Sequence, residues 1–415
     1  MFDKLYKQPH AIARHQNGPL AEERRRYLVY CAEQQMSLET LEHIARKILI
    51  IARTLRLVER PGELITRTEI VSAAHRWVKE RGRKVQNVCR ECRRFIGHAV
   101  RWLSFLGRLQ TPVAVRQPYA DLVAQFIDYM IQERGLSQRT VAYNSQQVQA
   151  FLTEIDKANL QLRTLTGSQV NELLANKIRN RGYVRVTVKR IATAIRTFLR
   201  FAEQHKWCKP GLSDAIRTPR VYAHEGLPLG LSWDDVNRLI AATEGDESVE
   251  IRDRAILLLL AVYGLRSGEV TTLKLDDFNW EDELLTVSHG KNKRPRTYPL
   301  CHPVGEAVLR YLRVRPRSDR REIFITVLAP FRSLHGATVG GMVSRRLHAL
   351  GLTLPHYGAH VLRHACARHL LAQGFSLKEI GDHLGHQSPQ ATRIYAKIDL
   401  AALRIVGEFE LGGLL

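Results

Sequence analysis

The chain has 415 residues, with 63 Lys and Arg against 41 Asp and Glu, which gives a formal net charge of +22. A hydrophobic content of 45% predicts folded domains and excludes a disordered chain. A charge this positive indicates a polyanionic partner, with nucleic acid as the first candidate and an acidic membrane surface as the second. Six scattered cysteines in a chain of this size are typical of reduced intracellular thiols and not of a disulfide framework.

Two features of the sequence argue against export or membrane insertion. Residues 1–16 lack the apolar segment of a signal peptide. The longest apolar run, residues 255–265, is about half the length that spans a bilayer. We therefore expect a cytoplasmic protein with no membrane partner.

The first quarter of the chain is strongly basic. Residues 1–18 are predicted to form a loose basic arm, and residues 19–110 have a helical period throughout. Residues 1–110 contain 22 Lys and Arg against 11 Asp and Glu, a surplus of 11 and half of the net charge of the whole chain. This region is predicted to be a helical domain that binds DNA or mediates protein contacts.

Residues 118–205 are also helical in pattern, and they share a colinear series of motifs with the first block at an offset between 96 and 100 residues. The matched motifs are Tyr27-x-x-Tyr30 with Phe126-x-x-Tyr129, Ser37-x-x-Thr40 with Ser137-x-x-Thr140, Ile65-Thr66 with Leu165-Thr166, and Trp102–Phe105 with Phe198–Phe201. Each match is common by itself, because Ser and Thr often begin helices. The near-constant offset favours a tandem duplication of a small bundle over coincidence.

Residues 206–230 are rich in Pro, Gly and Arg without an apolar period, which predicts a linker. Its Arg217 and Arg220 are candidate contacts to a DNA backbone, although an ordinary solvated connector fits nearly as well. Residues 231–415 form the last domain. In it, alternating segments at 284–288 and 296–300 predict a hairpin whose basic tip contains Lys291, Lys293 and Arg294, and such a tip can reach into a DNA groove.

The C-terminal residues carry reactive groups at informative spacings. His360 and Arg363 are three apart, so on a helix they share a face. Gly385 is placed to end a helix just before His386, and Ser388-Pro389 restarts a helix towards Tyr395. A tyrosine can form a covalent intermediate with a phosphodiester, and arginines can stabilise the charge of the transition state.

A second arginine for this chemistry must come from elsewhere in the chain. Arg266 follows an apolar helix that Gly264 ends, and Glu269 lies one turn further on. A carboxylate at that spacing can orient the guanidinium. Arg266 and Glu269 are therefore candidate site residues.

The ordered set of motifs resembles the tyrosine recombinase family, the phage-integrase-like enzymes. The set consists of Arg266 in YGLRSGEV, Lys291 in HGKNKRPRTYPL, His360-x-x-Arg363, Leu384-Gly385-His386, and Tyr395. The resemblance covers residues 118–410, with 118–205 as the core-binding (SAM-like) helical domain and 231–415 as the catalytic domain. It implies a mainly α fold: helical bundles followed by an α+β catalytic domain with a small sheet.

The resemblance also implies roles for the individual residues. Arg266, Arg363, His360 and His386 would bind the scissile phosphate, Lys291 would be the general acid, and Glu269 would support Arg266. Tyr395 would attack to give a 3′-phosphotyrosine, with no metal and no cofactor. The protein would be a nucleoid-associated, site-specific recombinase or integrase of a mobile genetic element. It would act as a homo-tetramer on paired double-stranded DNA sites, with sibling recombinases as further partners.

Two other functions remain open from the sequence. One is a type IB topoisomerase-like nicking-closing enzyme, and the other is a DNA-binding accessory protein without catalysis. Taken singly, each candidate residue has an ordinary explanation, such as an ion pair or a packed tyrosine. His364 and His369 are interpreted as structural because they lack the motif spacing, and Lys293 competes with Lys291 as the acid. Cys89-x-x-Cys92 is interpreted as two small buried residues and not as a zinc site.

Overall fold

The computed structural model describes residues 1–80, 85–110, 119–179, 182–219, 231–288, 295–386, 388–392 and 395. The chain divides into two compact units, one made of Met1–Leu109 with Gly226–Leu415 and the other of Gln110–Glu225. Within the described ranges, no helix has the length and apolar character needed to cross a bilayer.

The first unit begins with six helices. They are α1 (Phe2–Leu5), α2 (Pro9–Gln16), α3 (Ala21–Glu33), α4 (Leu38–Thr54), α5 (Arg67–Glu80) and α6 (Val85–Phe105). Helix α4 begins at Ser37, whose hydroxyl accepts a hydrogen bond from the backbone N–H of Thr40. The apolar faces of these helices enclose one core, in which Ile48 and Trp102 are fully buried. The helical prediction for this region is confirmed.

Residues 1–18 do not form the loose basic arm that the sequence predicts. They form α1 and α2, and Phe2 and His15 are only 4% and 3% exposed. The buried Arg24 donates to the backbone carbonyls of His15 at 2.6 Å and Gly18 at 3.1 Å. The prediction is wrong because helices this short contain too few turns for an apolar periodicity to be recognised in the sequence. Buried contacts with α3 stabilise them in the folded protein.

The second unit is a four-helix bundle formed by α7 (Ala120–Gln132), α8 (Gln138–Lys157), α9 (Gly167–Arg179) and α10 (Arg185–Gln204). Residues 206–219, the described part of the predicted linker, pack onto this bundle. Cys208, Leu212 and Ile216 are buried in its core, and Asn171 donates to the carbonyl of Ala215 at 2.9 Å. The three apolar residues, spaced four apart, anchor the segment, so this stretch is not an extended connector.

The rest of the first unit surrounds a long buried helix. Its helices are α11 (Trp233–Ala241), α12 (Ser248–Val262), α13 (Ser267–Thr272), α14 (His302–Val314), α15 (Gly336–Ala349), α16 (Ala359–Ala372) and α17 (Leu377–Leu384). Leu257, Leu259 and Leu260 of α12 are all fully buried, which explains the long apolar run in the sequence.

A three-stranded antiparallel sheet accompanies these helices, with strand order β1 (Phe278–Asn279), β2 (Leu284–Val287) and β3 (Arg296–Pro299). In the hairpin of β2 and β3, Leu285 is paired with Tyr298. The predicted hairpin and the mainly helical fold are confirmed. Strand β1 was not predicted, because two residues show no alternation.

A close approach at Gly264 connects the elements that hold the candidate site. Gly264 has φ +57, and a Cβ added there would lie 2.4 Å from Leu384 Cδ2 and 3.3 Å from Cys366 Sγ. Only glycine fits both the left-handed backbone and the small gap. The end of α12 therefore contacts both α16 and α17, so that Arg266, Arg363 and His386 come from adjoining elements.

Candidate active site

Arg266 is held by a buried carboxylate. It is the N-cap residue of α13, and the Glu269 side chain, in the first turn, is 4% exposed. Glu269 Oε2 accepts from the backbone N–H of Arg266 at 2.7 Å, while Oε1 accepts from its Nη1 at 2.7 Å. The Arg266 side chain is 34% exposed, so the guanidinium is fixed on one side and open to solvent on the other.

Arg296 is a third guanidinium at this site, and the sequence analysis did not include it. Its Nη2 lies 3.2 Å from Glu269 Oε2, and its Nη1 donates to the Tyr298 hydroxyl at 2.6 Å and the His383 carbonyl at 3.1 Å. A Cβ at Gly385 would lie 2.6 Å from Arg296 Cζ, so glycine is needed there for space as well as for its φ of +63. The available signal was the two-residue period of β3, which puts Arg296 on the face of buried Tyr298.

Arg363 lies at the centre of the cluster and is 2% exposed. Its Nη1 donates to the Gly264 carbonyl at 2.6 Å and its Nη2 to the Leu384 carbonyl at 2.7 Å. Burial, with the nearby positive charge of Arg266, lowers the pKa of Arg363 to about 10. The guanidinium stays protonated at neutral pH and joins the ends of α12 and α17 to α16.

The two motif histidines are neutral in this environment. Desolvation, followed by the charges of Arg363 and Arg266, lowers the pKa of His360. The same causes lower the pKa of His386 to about 4. His386 follows the α17 C-cap residue Gly385, and its Nδ1 is hydrogen-bonded to Thr392 Oγ1 at 2.7 Å. Nε2 is then the atom through which His386 can meet a substrate oxygen.

Tyr395 is almost fully buried, at 1% exposure, in a small apolar cluster with Cys366, Ile380 and Leu384. Its hydroxyl is hydrogen-bonded to His364 Nδ1 at 2.9 Å. Burial raises the pKa of Tyr395 to about 12, against the opposing effect of Arg363. The phenol therefore keeps its proton and is covered in this conformation.

His364 is the residue whose interpretation changes most. The motif spacing places His364 among the structural residues, yet its ring is 5.7 Å from that of Tyr395 and 4.9 Å from that of His360. Burial, followed by the charge that His360 would carry, lowers the pKa of His364 to about 4. The signal was the spacing of four from His360, which puts both rings on one face of α16.

The structure brings together most of the predicted site residues, and the rings of His386 and Tyr395 stack 6.5 Å apart. The converging residues are Arg266, Glu269, His360, Arg363, His386 and Tyr395. Lys291, Lys293, Arg294 and Arg220 lie outside the described residues. Arg217 is exposed and belongs to the other unit. In the described part of the chain, no group of His, Cys, Asp and Glu has the arrangement of a metal site.

Removing the shared carboxylate should destabilise the fold. In Glu269→Ala, two guanidiniums and one backbone N–H lose their acceptor. We expect the free energy of unfolding to fall by about 2–3 kcal/mol, less than for a fully buried pair because Arg266 is partly exposed. Urea denaturation measures this, with Asp246→Ala as the control. Asp246 is 97% exposed in its pair with Arg310, so its loss should change little. Equal decreases in the free energy of unfolding of the two variants would contradict the role of Glu269 as a buried shared acceptor.

Acid should weaken the protein between pH 6.5 and 4. The pKa values of His364 and His386 are lowered to about 4, so in this range the unfolded chain binds more protons than the folded one. The stability that His364 and His386 contribute as neutral side chains is fully present above pH 6.5 and is lost as the pH falls towards 4. The urea midpoint should drop from pH 7.5 to pH 5, and less steeply in His364→Asn/His386→Asn than in the exposed control His356→Asn. A midpoint that does not change over this range would contradict the two pKa values.

Two family models match the chain. The Phage integrase family model matches residues 230–401, and the model of the phage integrase N-terminal SAM-like domain matches residues 123–206. A putative integrase/recombinase of Sinorhizobium fredii, y4rA, is 32% identical over 383 residues, which covers 84% of this chain and 90% of that protein. The tyrosine recombinase XerC of Alcanivorax borkumensis is 31% identical over 295 residues, 68% of this chain and 90% of that protein.

Solved structures share the fold. XerH recombinase bound to a palindromic difH substrate has a TM-score of 0.55 and 18% identity, covering 71% of this chain and 98% of that chain. The Tn1549 transposon integrase in complex with transposon right end DNA has a TM-score of 0.53 and 17% identity, covering 69% and 98%. At these identities the likeness concerns the fold alone.

Proposed function

This chain belongs to the phage integrase family of tyrosine recombinases, enzymes that break and rejoin DNA, and we propose that the cluster around Arg363 performs this chemistry with Tyr395 as the nucleophile. The observation that supports the proposal most is convergence. Arg266 lies two residues after Gly264, whose carbonyl accepts from Arg363, and the ring of His386 stacks 6.5 Å from that of Tyr395. Such a set combines a nucleophile with charge and donors for a phosphate.

The proposed step is a transesterification in which bonds and protons balance. The Tyr395 oxygen attacks the scissile phosphorus and passes its proton to solvent water as the bond to the 5′ oxygen breaks. The products are a 3′-phosphotyrosine and a 5′ hydroxyl, whose proton comes from Lys291. Rejoining is the reverse attack by a 5′ hydroxyl. The phosphodiester energy is retained in the tyrosyl ester, so ligation needs no nucleotide hydrolysis.

The arginines and histidines of the site have different roles at the scissile phosphate. Arg266 and Arg363 hold planar guanidiniums that neutralise the non-bridging oxygens. Neutral His360 and His386 each offer one ring N–H as a donor and add no charge. Glu269 keeps Arg266 in place, and Arg296 of β3 shares that carboxylate.

Tyr395 must move before it reacts. At 1% exposure, with its hydroxyl on His364, it cannot reach a phosphate without leaving its pocket. The conformation described is thus a resting one, and DNA binding exposes the phenol. His364 holds the phenol until then.

The partner is double-stranded DNA, as the net charge of +22 indicates. The solved relatives XerH and the Tn1549 integrase are bound to DNA, which supports the same partner here. The chain acts as a homo-tetramer on paired sites, with sibling recombinases as further partners, in the cytoplasm and at the nucleoid. The similarity to the putative integrase/recombinase y4rA supports a role in a mobile element.

A two-site plasmid assay tests this function against its rivals. A plasmid with two copies of the bound site should give excised or inverted product. Relaxation of a single-site plasmid without recombinant product would indicate a topoisomerase-like enzyme instead. Binding without any strand cleavage would indicate an inactive accessory protein.

A further inference from the structure

We propose that α3 to α6 are a second copy of the α7–α10 bundle, and that exposed cations on α6 and their counterparts on α10 both bind duplex DNA. The inference rests on the proposed function, because it takes DNA to be the partner of the chain.

The first helix of each bundle starts in the same unusual way. The N-cap residues are Leu20, with φ 51 and ψ 47, and Tyr119, with φ 61 and ψ 27. A bulky residue in the left-handed region is uncommon, and glycine or asparagine would be easier there. General rules for helix starts do not explain its presence in both bundles, whereas descent from one ancestral bundle does.

The second helices have matching caps. The hydroxyl of Ser37 accepts from the Thr40 N–H at 3.3 Å and lies 2.9 Å from Thr40 Oγ1. Ser137 and Thr140 repeat the arrangement at 3.3 Å and 2.9 Å.

The third helices match as well. Thr66 N–H and Oγ1 both lie 2.8 Å from Glu69 Oε2. Thr166 N–H and Oγ1 lie 2.9 and 3.0 Å from Gln169 Oε1. The amide of Gln169 thus replaces the carboxylate of Glu69 in the same reciprocal cap.

An aromatic trio joins the first and last helices of each bundle. In one bundle the centroid distances are 6.2 Å for Tyr27–Tyr30, 5.1 Å for Tyr27–Phe105 and 5.1 Å for Tyr30–Phe105. In the other they are 6.3 Å for Phe126–Tyr129, 5.6 Å for Phe126–Phe201 and 4.8 Å for Tyr129–Phe201. Tertiary packing of three rings is independent of the local caps, so the two observations support duplication separately.

The turns that follow the first, second and last helices also correspond. In each of them, a residue two or three positions past the end of the helix has positive φ: Gln35 at 61° and Gly135 at 56°, Arg56 at 49° and Asn159 at 53°, Gly107 at 68° and Lys206 at 58°. The backbone conformation is kept while the residue type changes. Together with the caps and the rings, these turns make the two bundles copies of one fold.

Equivalent cations lie on the last helix of each copy. Arg93 and Arg94 lie 12 and 11 residues before Phe105. Lys189 and Arg190 lie 12 and 11 residues before Phe201. All four side chains are exposed. Their neighbours Phe95 and Ile191 are buried in the respective cores.

The cations extend along each helix. Arg90 and Arg101 are also exposed on α6, as are Arg185 and Arg200 on α10. From Arg90 to Arg101 the helix rises about 16 Å, which matches several phosphates of a DNA strand. A stripe of this kind on a region with a surplus of 11 positive charges fits duplex DNA best. An acidic protein surface is the competing partner.

Paired double variants of the full chain test the proposal. The salt dependence of binding to a labelled 30-bp random duplex should lose about 2 units of slope in both Arg93→Gln/Arg94→Gln and Lys189→Gln/Arg190→Gln. The control Arg25→Gln/Arg46→Gln removes two exposed arginines of α3 and α4, outside the stripe on α6, and its slope should equal wild type. Circular dichroism melts check that all variants fold.

Footprints on a duplex selected by the wild-type protein separate the two modules. Arg93→Gln/Arg94→Gln should lose protection of one segment, and Lys189→Gln/Arg190→Gln should lose a different one. A wild-type slope and footprint in Arg93→Gln/Arg94→Gln would overturn the proposal and indicate a protein partner for α6. Failure of the proposed function looks different, since the footprints would change as expected while wild-type protein formed no covalent adduct with DNA.

Discussion

The Tyr395→Phe protein is expected to bind duplex DNA with wild-type affinity and to form no covalent adduct with it. The substitution removes only the hydroxyl, which is the attacking atom in the proposed step and the partner of His364 in the resting state. Loss of that hydrogen bond should change the free energy of unfolding by about 1 kcal/mol. The measurement is a nicked suicide duplex, from which the short product diffuses away and leaves the adduct trapped on a denaturing gel.

Tyr311→Phe is the matched control for this experiment. Tyr311 is also fully buried in the same unit, and its hydroxyl accepts from the Ile325 N–H at 3.4 Å. The Tyr311→Phe protein should form the covalent adduct with DNA at the wild-type rate. Wild-type adduct in Tyr395→Phe, or its loss in Tyr311→Phe, would contradict the assignment of the nucleophile.

Replacing Arg266 should slow cleavage without unfolding the protein. Its guanidinium is partly exposed and held by Glu269, so Arg266→Ala leaves a solvated gap, unlike Arg363→Ala, which would strip two buried carbonyls of their donor. Loss of one preorganised donor to a phosphoryl oxygen should lower the rate of adduct formation by about 10²–10³-fold. Arg266→Lys should recover only part of this, because an ammonium does not reproduce the planar fork.

Arg254 provides the comparison for Arg266. It is a partly exposed arginine that donates to the Ile240 carbonyl and pairs with Glu244, with no contact to the site. Single-turnover adduct formation at saturating DNA should be unchanged in Arg254→Ala. Equal rates in Arg254→Ala and Arg266→Ala would remove Arg266 from the proposed mechanism.

Local rules predicted the parts of the site that local structure determines. Gly385 ends α17 in the left-handed region and leaves His386 just beyond the helix, as its position in the sequence indicates. The spacing of Arg266 and Glu269 likewise predicted their ion pair, because one turn of helix separates them. Caps and glycine positions depend on a few neighbouring residues, so a single sequence contains them.

The features that escaped prediction depend on contacts between distant elements. Arg296 joins the site because β3 passes beside Gly385; the alternation of β3 puts Arg296 on the face of buried Tyr298 but does not show which element packs there. The burial of Tyr395 and its bond to His364 likewise need α16 and α17 packed together. The docking of α1 and α2 depends on the buried Arg24, which sequence patterns classify as an ordinary surface arginine.

The identity of the residue that becomes esterified to DNA decides whether Tyr395 is the nucleophile. The trapped suicide complex is digested with protease and nuclease, and the modified peptide is sequenced by mass spectrometry. We expect a nucleotide attached through its 3′ phosphate to the peptide that contains Tyr395. Attachment to any other residue, or through a 5′ phosphate, would contradict it.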